Sequence, residues 1–362
     1  MKKDVKKIRF FIPSLVNSAG MERISTGLAN ILQRQGYNCG FVVKDSDTTS
    51  FFPLHSSIQV KSILSDGDIK KVRYKAAKRL RQYLKREKPD VLINVDVSMI
   101  QISALAFTRL YGVKLLTWEQ FSAGAINTFA KKIQRYLAAF ISKKLIVLTK
   151  ADKQMYPLFL QNKVEIIGNF TQINPDNILS TLDNKTALSV GRMAKEKGFD
   201  LLIKAWKKVK EQNSDWHLRI IGGGKQEYVD YLQGIVDSLS LNDVVKILPP
   251  TKEIGKEYAE ASLYVLPSRH EPFGLVLIEA KSFGLPTVSF DCPYGPKEII
   301  NDKIDGYLVE NENTDDLAEK INNLISDKDK MQSFSLKAIE DYNKRWTEKC
   351  VEEKWLNLLK RL

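Results

Sequence analysis

Short apolar runs without polar alternation recur along the chain, and segments with apolar positions at helical spacing lie between them. Strands covered on both faces lose the in–out alternation of a half-exposed sheet, so this pattern predicts an α/β protein with mostly parallel sheets. In the first half the runs predict strands over Ile8–Ile12, Gly40–Val43, Val91–Val95, Val113–Leu116, Leu145–Leu148 and Val164–Ile167. The cluster GNFTQINPDN follows without periodicity and reads as a linker. The alternation then restarts over Ala187–Val190, Leu218–Ile221, Val244–Leu248, Leu263–Leu266 and Thr287–Phe290. Two doubly wound, Rossmann-like domains are expected, 1–170 and 171–345. In the tail, 346–362, Val351, Trp355, Leu358 and Leu359 recur at helical spacing, so a helix there needs a surface to cover.

A chain of 362 residues exceeds the size at which one core keeps growing, in keeping with two domains. Its 43% hydrophobic and 27% charged residues mark a globular protein and exclude a fibrous or disordered one. Cys39, Cys292 and Cys350 are far apart and odd in number, which supports neither a disulfide framework nor a cysteine–zinc site and suits a reducing compartment. The basic start MKKDVKKIRFFIP stops at Pro13 and lacks the core and cleavage site of a signal peptide. The uncharged stretch from Val97 to Thr108 falls short of the ~20 apolar residues of a spanning helix. A cytoplasmic protein is expected.

Charge changes the picture. Residues 1–170 hold 29 Lys and Arg against 12 Asp and Glu, whereas residues 171–362 hold 27 against 31. The first half is therefore expected to face a polyanion. Within it, Ile69–Lys88 sets Ile69, Val72, Ala76, Leu80 and Tyr83 on one stripe among ten Lys and Arg, and Thr128–Lys144 sets Phe129, Ile133, Tyr136, Leu137 and Phe140 against Lys131, Lys132, Arg135, Lys143 and Lys144. Both stripes are compatible with core-facing helices.

Ligands of doubly wound sheets sit at the carboxyl ends of the strands, so the cleft between the domains is the expected site. In PSLVNSAGMER, Gly20 lies at the start of a helix, where free N–H groups and the helix dipole suit a phosphate. In SVGRMAKEKG, Arg192 and Lys197 follow a strand and would neutralise a diphosphate. Gly222, Gly223 and Gly224 allow close backbone approach at the same end. In LPSRHEPFGLVLIEAKSFG, a loop presents Arg269, His270 and Glu271, and Phe273-Gly274-Leu275 opens a helix carrying Glu279, so phosphate docks on the helix start while carboxylates reach hydroxyls.

The set GRMAKEKG, IGGGKQEYVDYL, PSRHEPFGLVLIEAKSFGLP and DCPYGPKEII resembles the retaining glycosyltransferases of family four, which have the GT-B fold. SAGMERISTGLANILQRQGY is similar to that family's N-terminal Gly-rich loop and first helix. The resemblance implies two Rossmann-like domains with an interdomain cleft and a C-terminal helix packing back on the first. It implies that Arg192 and Lys197 hold the donor diphosphate, that Glu271 meets the donor sugar's hydroxyls and that Glu279 meets the ribose. The backbone of Phe273, Gly274 and Leu275 would contact phosphate and sugar, Gly20 would close over the phosphates, and the loop around Pro250 and Thr251 would read the base. The family's Gly-Gly is Ala19-Gly20 here. Where the family places a histidine near the anomeric carbon, this chain reads TWEQFS, so Glu119 or Gln120 would substitute, and Gln120 is assigned. His55 and His217 are expected to be structural or exposed, and His270 either packs its loop or contacts the donor.

The expected activity is retaining transfer of a sugar from a nucleotide donor, a UDP-sugar, to a lipid-linked or polysaccharide acceptor in cell-surface glycan synthesis. No cofactor is expected beyond that co-substrate, and no metal. The Asp-x-Asp triplets Asp45/Asp47, Asp66/Asp68 and Asp327/Asp329 lie in turns away from these motifs. Partners are the donor, the glycan or lipid-linked acceptor and an anionic membrane surface on the inner face of the cytoplasmic membrane. Nucleic acid is not among them, as no RRM, KH or zinc-finger pattern is present. Alternatives are a same-fold UDP-sugar epimerase or phosphorylase, or a non-catalytic basic binding protein.

Overall fold

The computed structural model describes residues 6–17, 19–64, 72–106, 111–121, 128–173, 175 and 178–362. The chain divides into two compact units, the first Met1–Asn169 with Glu348–Leu362, the second Phe170–Thr347.

In the first unit, strands β1 (Lys7–Ile12), β2 (Asn38–Val43), β3 (Gln59–Ser62), β4 (Val91–Val95), β5 (Lys114–Trp118), β6 (Lys144–Val147) and β7 (Val164–Ile166) form a parallel sheet in the order β3-β2-β1-β4-β5-β6-β7. Its helices are α1 (Gly20–Arg34), α2 (Val72–Glu87), α3 (Ile100–Leu105), α4 (Phe129–Ile141), α5 (Lys150–Gln154) and α6 (Leu158–Gln161). The second unit orders β8 (Thr186–Val190), β9 (His217–Ile221), β10 (Val245–Leu248), β11 (Leu263–Leu266), β12 (Thr287–Phe290) and β13 (Gly306–Val309) as β10-β9-β8-β11-β12-β13, again parallel. Its helices are α7 (Phe199–Gln212), α8 (Gln226–Ser238), α9 (Ile254–Glu260), α10 (Leu275–Ser282), α11 (Gly295–Ile299), α12 (Thr314–Ile325) and α13 (Lys328–Arg345).

Every residue of β4, β11 and β12 is buried, which is why their apolar runs carry no alternation. Two strands escape the sequence pattern. β3 reads QVKS, with no apolar run, and lies at the sheet edge with no residue fully buried, while β13, at the edge of the other sheet, reads GYLV, a run of only three apolar residues.

Of the α2 stripe, Ala76, Leu80 and Tyr83 are buried in the first unit's core, while Ile69 and the side chain of Val72 lie outside the described residues. The stripe on α4 does the opposite. Its packed face is Arg135, Ala138 and Ala139, with Leu137 partly buried against the core, while Phe129, Ile133, Tyr136 and Phe140 are exposed, so most of this stripe faces outward.

The tail forms α14 (Glu348–Lys360) and belongs to the first unit. Val351, Trp355, Leu358 and Leu359 are buried, and the Trp355 ring meets Trp118, at the end of β5, edge-to-face with centroids 4.9 Å apart. Arg34 of α1 pairs with Glu348, and Arg361 with Glu165 at 3.6 Å. Among the described residues no helix is long and apolar enough to cross a membrane. Replacing Trp355 by Ala is expected to lower the first unit's unfolding free energy by ~3–5 kcal/mol. Denaturant titration checks this, and an unchanged midpoint would show that α14 is not part of the unit's core.

Candidate active site

The strand order of the second unit reverses between β8 and β11, the point at which an open α/β sheet leaves a crevice at its carboxyl end. The loop leaving β8 carries Arg192 and Lys197, and the loop leaving β11 carries Ser268 to Glu271. Room there is so scarce that a Cβ on Gly222 would fall 1.7 Å from the Gly191 carbonyl oxygen, and one on Gly224 would fall 2.4 Å from that of Met193. Glycine is required by space at both positions.

Lys197 Nζ donates to Glu271 Oε2 at 2.6 Å, and Ser268 Oγ reaches the same oxygen at 3.2 Å. Glu271 is buried, so this charge-assisted pair is held in a medium that screens it weakly. Arg269 ties the two loops together. Its backbone N–H donates to the Glu196 carbonyl at 2.9 Å, its Nη1 donates to the Lys195 carbonyl at 2.7 Å, and its fork grips both Asp200 oxygens at 2.8 Å. Burial alone would raise the Asp200 carboxyl, but the Arg269 fork outweighs it and holds the group below its usual range.

A third loop locks the backbone of Glu271, whose carbonyl accepts the Gly295 N–H at 2.9 Å. The preceding residue, Tyr294, bridges Glu271 with φ 85° and ψ −85°, a conformation that costs a non-glycine residue ~1–3 kcal/mol. His270 meets the Tyr294 ring edge-on at 5.8 Å, so it packs this loop. Gly274, at φ 96°, then turns the chain into α10, leaving the first N–H groups of Leu275 and its neighbours without helical partners.

Glu279 is buried on α10 and accepts a hydrogen bond from Tyr258 Oη at 2.8 Å. The Tyr264 hydroxyl lies 3.3 Å from both the nitrogen and the oxygen of Val190 at the end of β8. Its phenol is pushed well above its ordinary range by burial, with Glu279 and Glu271 adding to the effect. Both carboxylates therefore act electrostatically on one buried hydroxyl. Burial, with Glu271 adding, also raises the Cys292 thiol to about 12, so it stays protonated at neutral pH. Pro250 approaches the glycine turn, 3.0 Å from where a Gly223 Cβ would lie, and Thr251 Oγ1 accepts the Glu253 N–H at 3.0 Å. Arg192 is exposed and pairs with Glu196.

Arg192, Lys197, Pro250, Thr251, Glu271, Phe273, Gly274, Leu275 and Glu279 thus all lie on segments leaving the carboxyl ends of β8, β10 and β11. Ser268, Tyr258, Tyr264 and Arg269 complete the arrangement. Ser268 has a local signal, three residues before Glu271, whereas nothing in the sequence pairs Tyr258 with Glu279.

In the first unit, Gly20 is exposed and opens α1, while Glu22 in the first turn is buried and accepts from Asn17 Nδ2 at 3.3 Å. Glu119 is committed elsewhere. Arg135 Nε and Tyr156 Oη each donate to it at 2.6 Å, and burial still pushes its carboxyl up to about 7. Gln120 is buried, and its Oε1 accepts from Asn169 Nδ2 at 3.1 Å, leaving Gln120 Nε2 and Asn169 Oδ1 without a partner among the described residues. His55 and His217 are exposed. Asp45 and Asp47 accept N–H groups of their own turn, and Asp327 caps α13, while Asp66 and Asp68 lie outside the described residues. No group of three or more potential metal-ligating side chains occurs among the described residues.

Two doubly wound units, the second with a lysine–carboxylate pair and a helix start at its switch point, are the architecture of the GT-B fold. Residues 170–341 match the family model of the glycosyl transferases group 1. A Haemophilus influenzae protein described as an uncharacterized glycosyltransferase is 34% identical over 361 residues, spanning 98% of this chain and 100% of that protein. The chain belongs to this family and is a glycosyltransferase. The amylovoran biosynthesis glycosyltransferase AmsD of Erwinia amylovora is 27% identical, over 98% of this chain and 99% of that protein. Among solved structures, Anabaena HepE in complex with UDP shares the fold with a TM-score of 0.82 at 18% identity, over 98% of this chain and 100% of that one.

Replacing Lys197 or Glu271 by Ala is expected to lower kcat/KM at least ~100-fold while the far-UV circular dichroism is kept. Turnover within a few-fold of wild type in both variants would contradict the site. Gly222→Ala must displace the end of β8 and is expected to raise the donor KM at least ~10-fold through Arg192 and Lys197, read from donor titration curves.

Proposed function

We propose that the enzyme transfers a sugar from a UDP-sugar, with retention of anomeric configuration, to a lipid-linked or polysaccharide acceptor in cell-surface glycan synthesis. The observation that carries this reading is the Lys197–Glu271 pair at the β8/β11 switch point, followed by the open start of α10. A diphosphate seated there meets Lys197, Arg192 and the helix N–H groups, which offset the charge that develops as it leaves. Glu271 accepts hydrogen bonds from the sugar hydroxyls, and Glu279 from the ribose.

In this reading the bond from the anomeric carbon to the diphosphate oxygen breaks while the acceptor oxygen adds to the same face, through an oxocarbenium-like state. The acceptor's proton leaves with the departing diphosphate. Positioning and fixed charges carry the step, and it needs no added metal. In the same reading Gly20 serves the donor phosphates and Gln120 the reaction centre, its Nε2 having no hydrogen-bond partner among the described residues.

UDP is favoured as the nucleotide by the solved relatives of the same fold, HepE and TarM, whose complexes hold UDP. A surface-glycan acceptor is favoured by relatives named for amylovoran biosynthesis and for poly(ribitol-phosphate) N-acetylglucosamine transfer. The excess of Lys and Arg in residues 1–170 favours a place on the inner face of the cytoplasmic membrane.

In thermal-shift titrations UDP-sugars are expected to raise the melting temperature, and GDP- and ADP-sugars to leave it unchanged. Proton NMR of the product is expected to show the donor's anomeric configuration, at a rate unchanged by EDTA. An inverted product or loss of rate with EDTA would overturn the corresponding part of the reading.

A further inference from the structure

Helix α4 is built inside out. Phe129, Ile133, Tyr136 and Phe140 recur at spacings of four, three and four, which places them on one face. The side packed on the protein is the opposite one, formed by Ala138, Ala139 and the buried Arg135. Phe129 is 79% exposed and Phe140 65% exposed. Soluble proteins scatter such residues singly, and a row of them marks a contact surface.

The row has a neighbour. Lys163, which follows α6, donates to the Phe140 carbonyl at 2.8 Å and lies 5.6 Å from the centre of its ring. On α6 itself Leu158 is 86% and Phe159 76% exposed. The surrounding charge has one sign, since from Gln120 to Ala151 the sequence contains six Lys and Arg and no Asp or Glu. Lys132 is exposed and borders the stripe, and Lys143 is exposed just past the end of α4. An aromatic row bordered by lysines complements a bilayer with anionic headgroups, where rings enter the acyl boundary and ammonium groups stay among phosphates.

We infer that the outward face of α4, continued by Leu158 and Phe159 of α6, is a membrane-insertion surface that seats the first unit on an anionic bilayer. This deepens the placement at the membrane given above and rests on it, adding an apolar anchor and naming its residues.

Flotation of the full chain tests it, with vesicles of phosphatidylcholine alone and with 30% phosphatidylglycerol. Wild type is expected to float with the anionic vesicles, and Phe129→Ser/Phe140→Ser at least ~10-fold less, with unchanged melting temperature and UDP-sugar binding. Lys132→Gln/Lys143→Gln is expected to float less at low salt. A Phe140→Trp variant is expected to be quenched by brominated acyl chains, which leave wild type unaffected because its five tryptophans are buried. Equal flotation of wild type and the Phe129/Phe140 variant would overturn the insertion surface and leave the membrane placement standing. No flotation of wild type would overturn both. A wild-type dimer that becomes a monomer in the Phe129/Phe140 variant, without vesicle binding, would assign the face to a second copy and overturn the inference.

Discussion

The arrangement of the site depends on one contact, the ion pair between half-buried Lys197 and buried Glu271. Each partner comes from the exit of a different strand, β8 and β11, at the point where the strand order reverses. A carboxylate in that position without a cation would carry a large desolvation cost, and breaking such a pair by removing one partner is more costly than never having built it. The pair therefore fixes the two loops against each other, and Arg269, through Asp200 and the carbonyl of Lys195, holds them in register. The strained backbone of Tyr294 belongs to the same construction, since it lets Gly295 reach the Glu271 carbonyl.

A rigid lysine–carboxylate pair suits group transfer from a charged donor. In the proposed reaction it would keep a cation where the leaving diphosphate develops charge and an acceptor of hydrogen bonds where sugar hydroxyls arrive. The buried Tyr264, whose hydroxyl sits at the end of β8, feels the charge of both Glu271 and Glu279. Close packing of glycine turns beneath them, at Gly222 and Gly224, leaves the loops little freedom.

Much of this was legible before any coordinates. The runs Val91–Val95, Leu263–Leu266 and Thr287–Phe290 coincide with strands because a strand buried on both faces admits only apolar residues. The edge strand β3 has no such run, and that of β13 is only three residues long. Motif residues such as Glu271 and Glu279 were legible because they lie close together in sequence, and their partners were not. Tyr258 stands twenty-one positions from Glu279, and Glu119 finds Arg135 sixteen and Tyr156 thirty-seven positions away. The orientation of α4 was not legible at all. An amphipathic stripe shows that a helix has an apolar side, and only the packing of Ala138, Ala139 and Arg135 shows which way that side faces.

The most direct measurement of the central claim is calorimetric titration of the full enzyme and its Lys197→Met variant with UDP and with uridine. If the pair at the β8/β11 switch point grips a diphosphate, wild type binds UDP at least ~100-fold more tightly than uridine, and the variant loses most of that difference while its uridine affinity is unchanged. Equal preference for UDP in both proteins would contradict the account, because the diphosphate would then be held somewhere else.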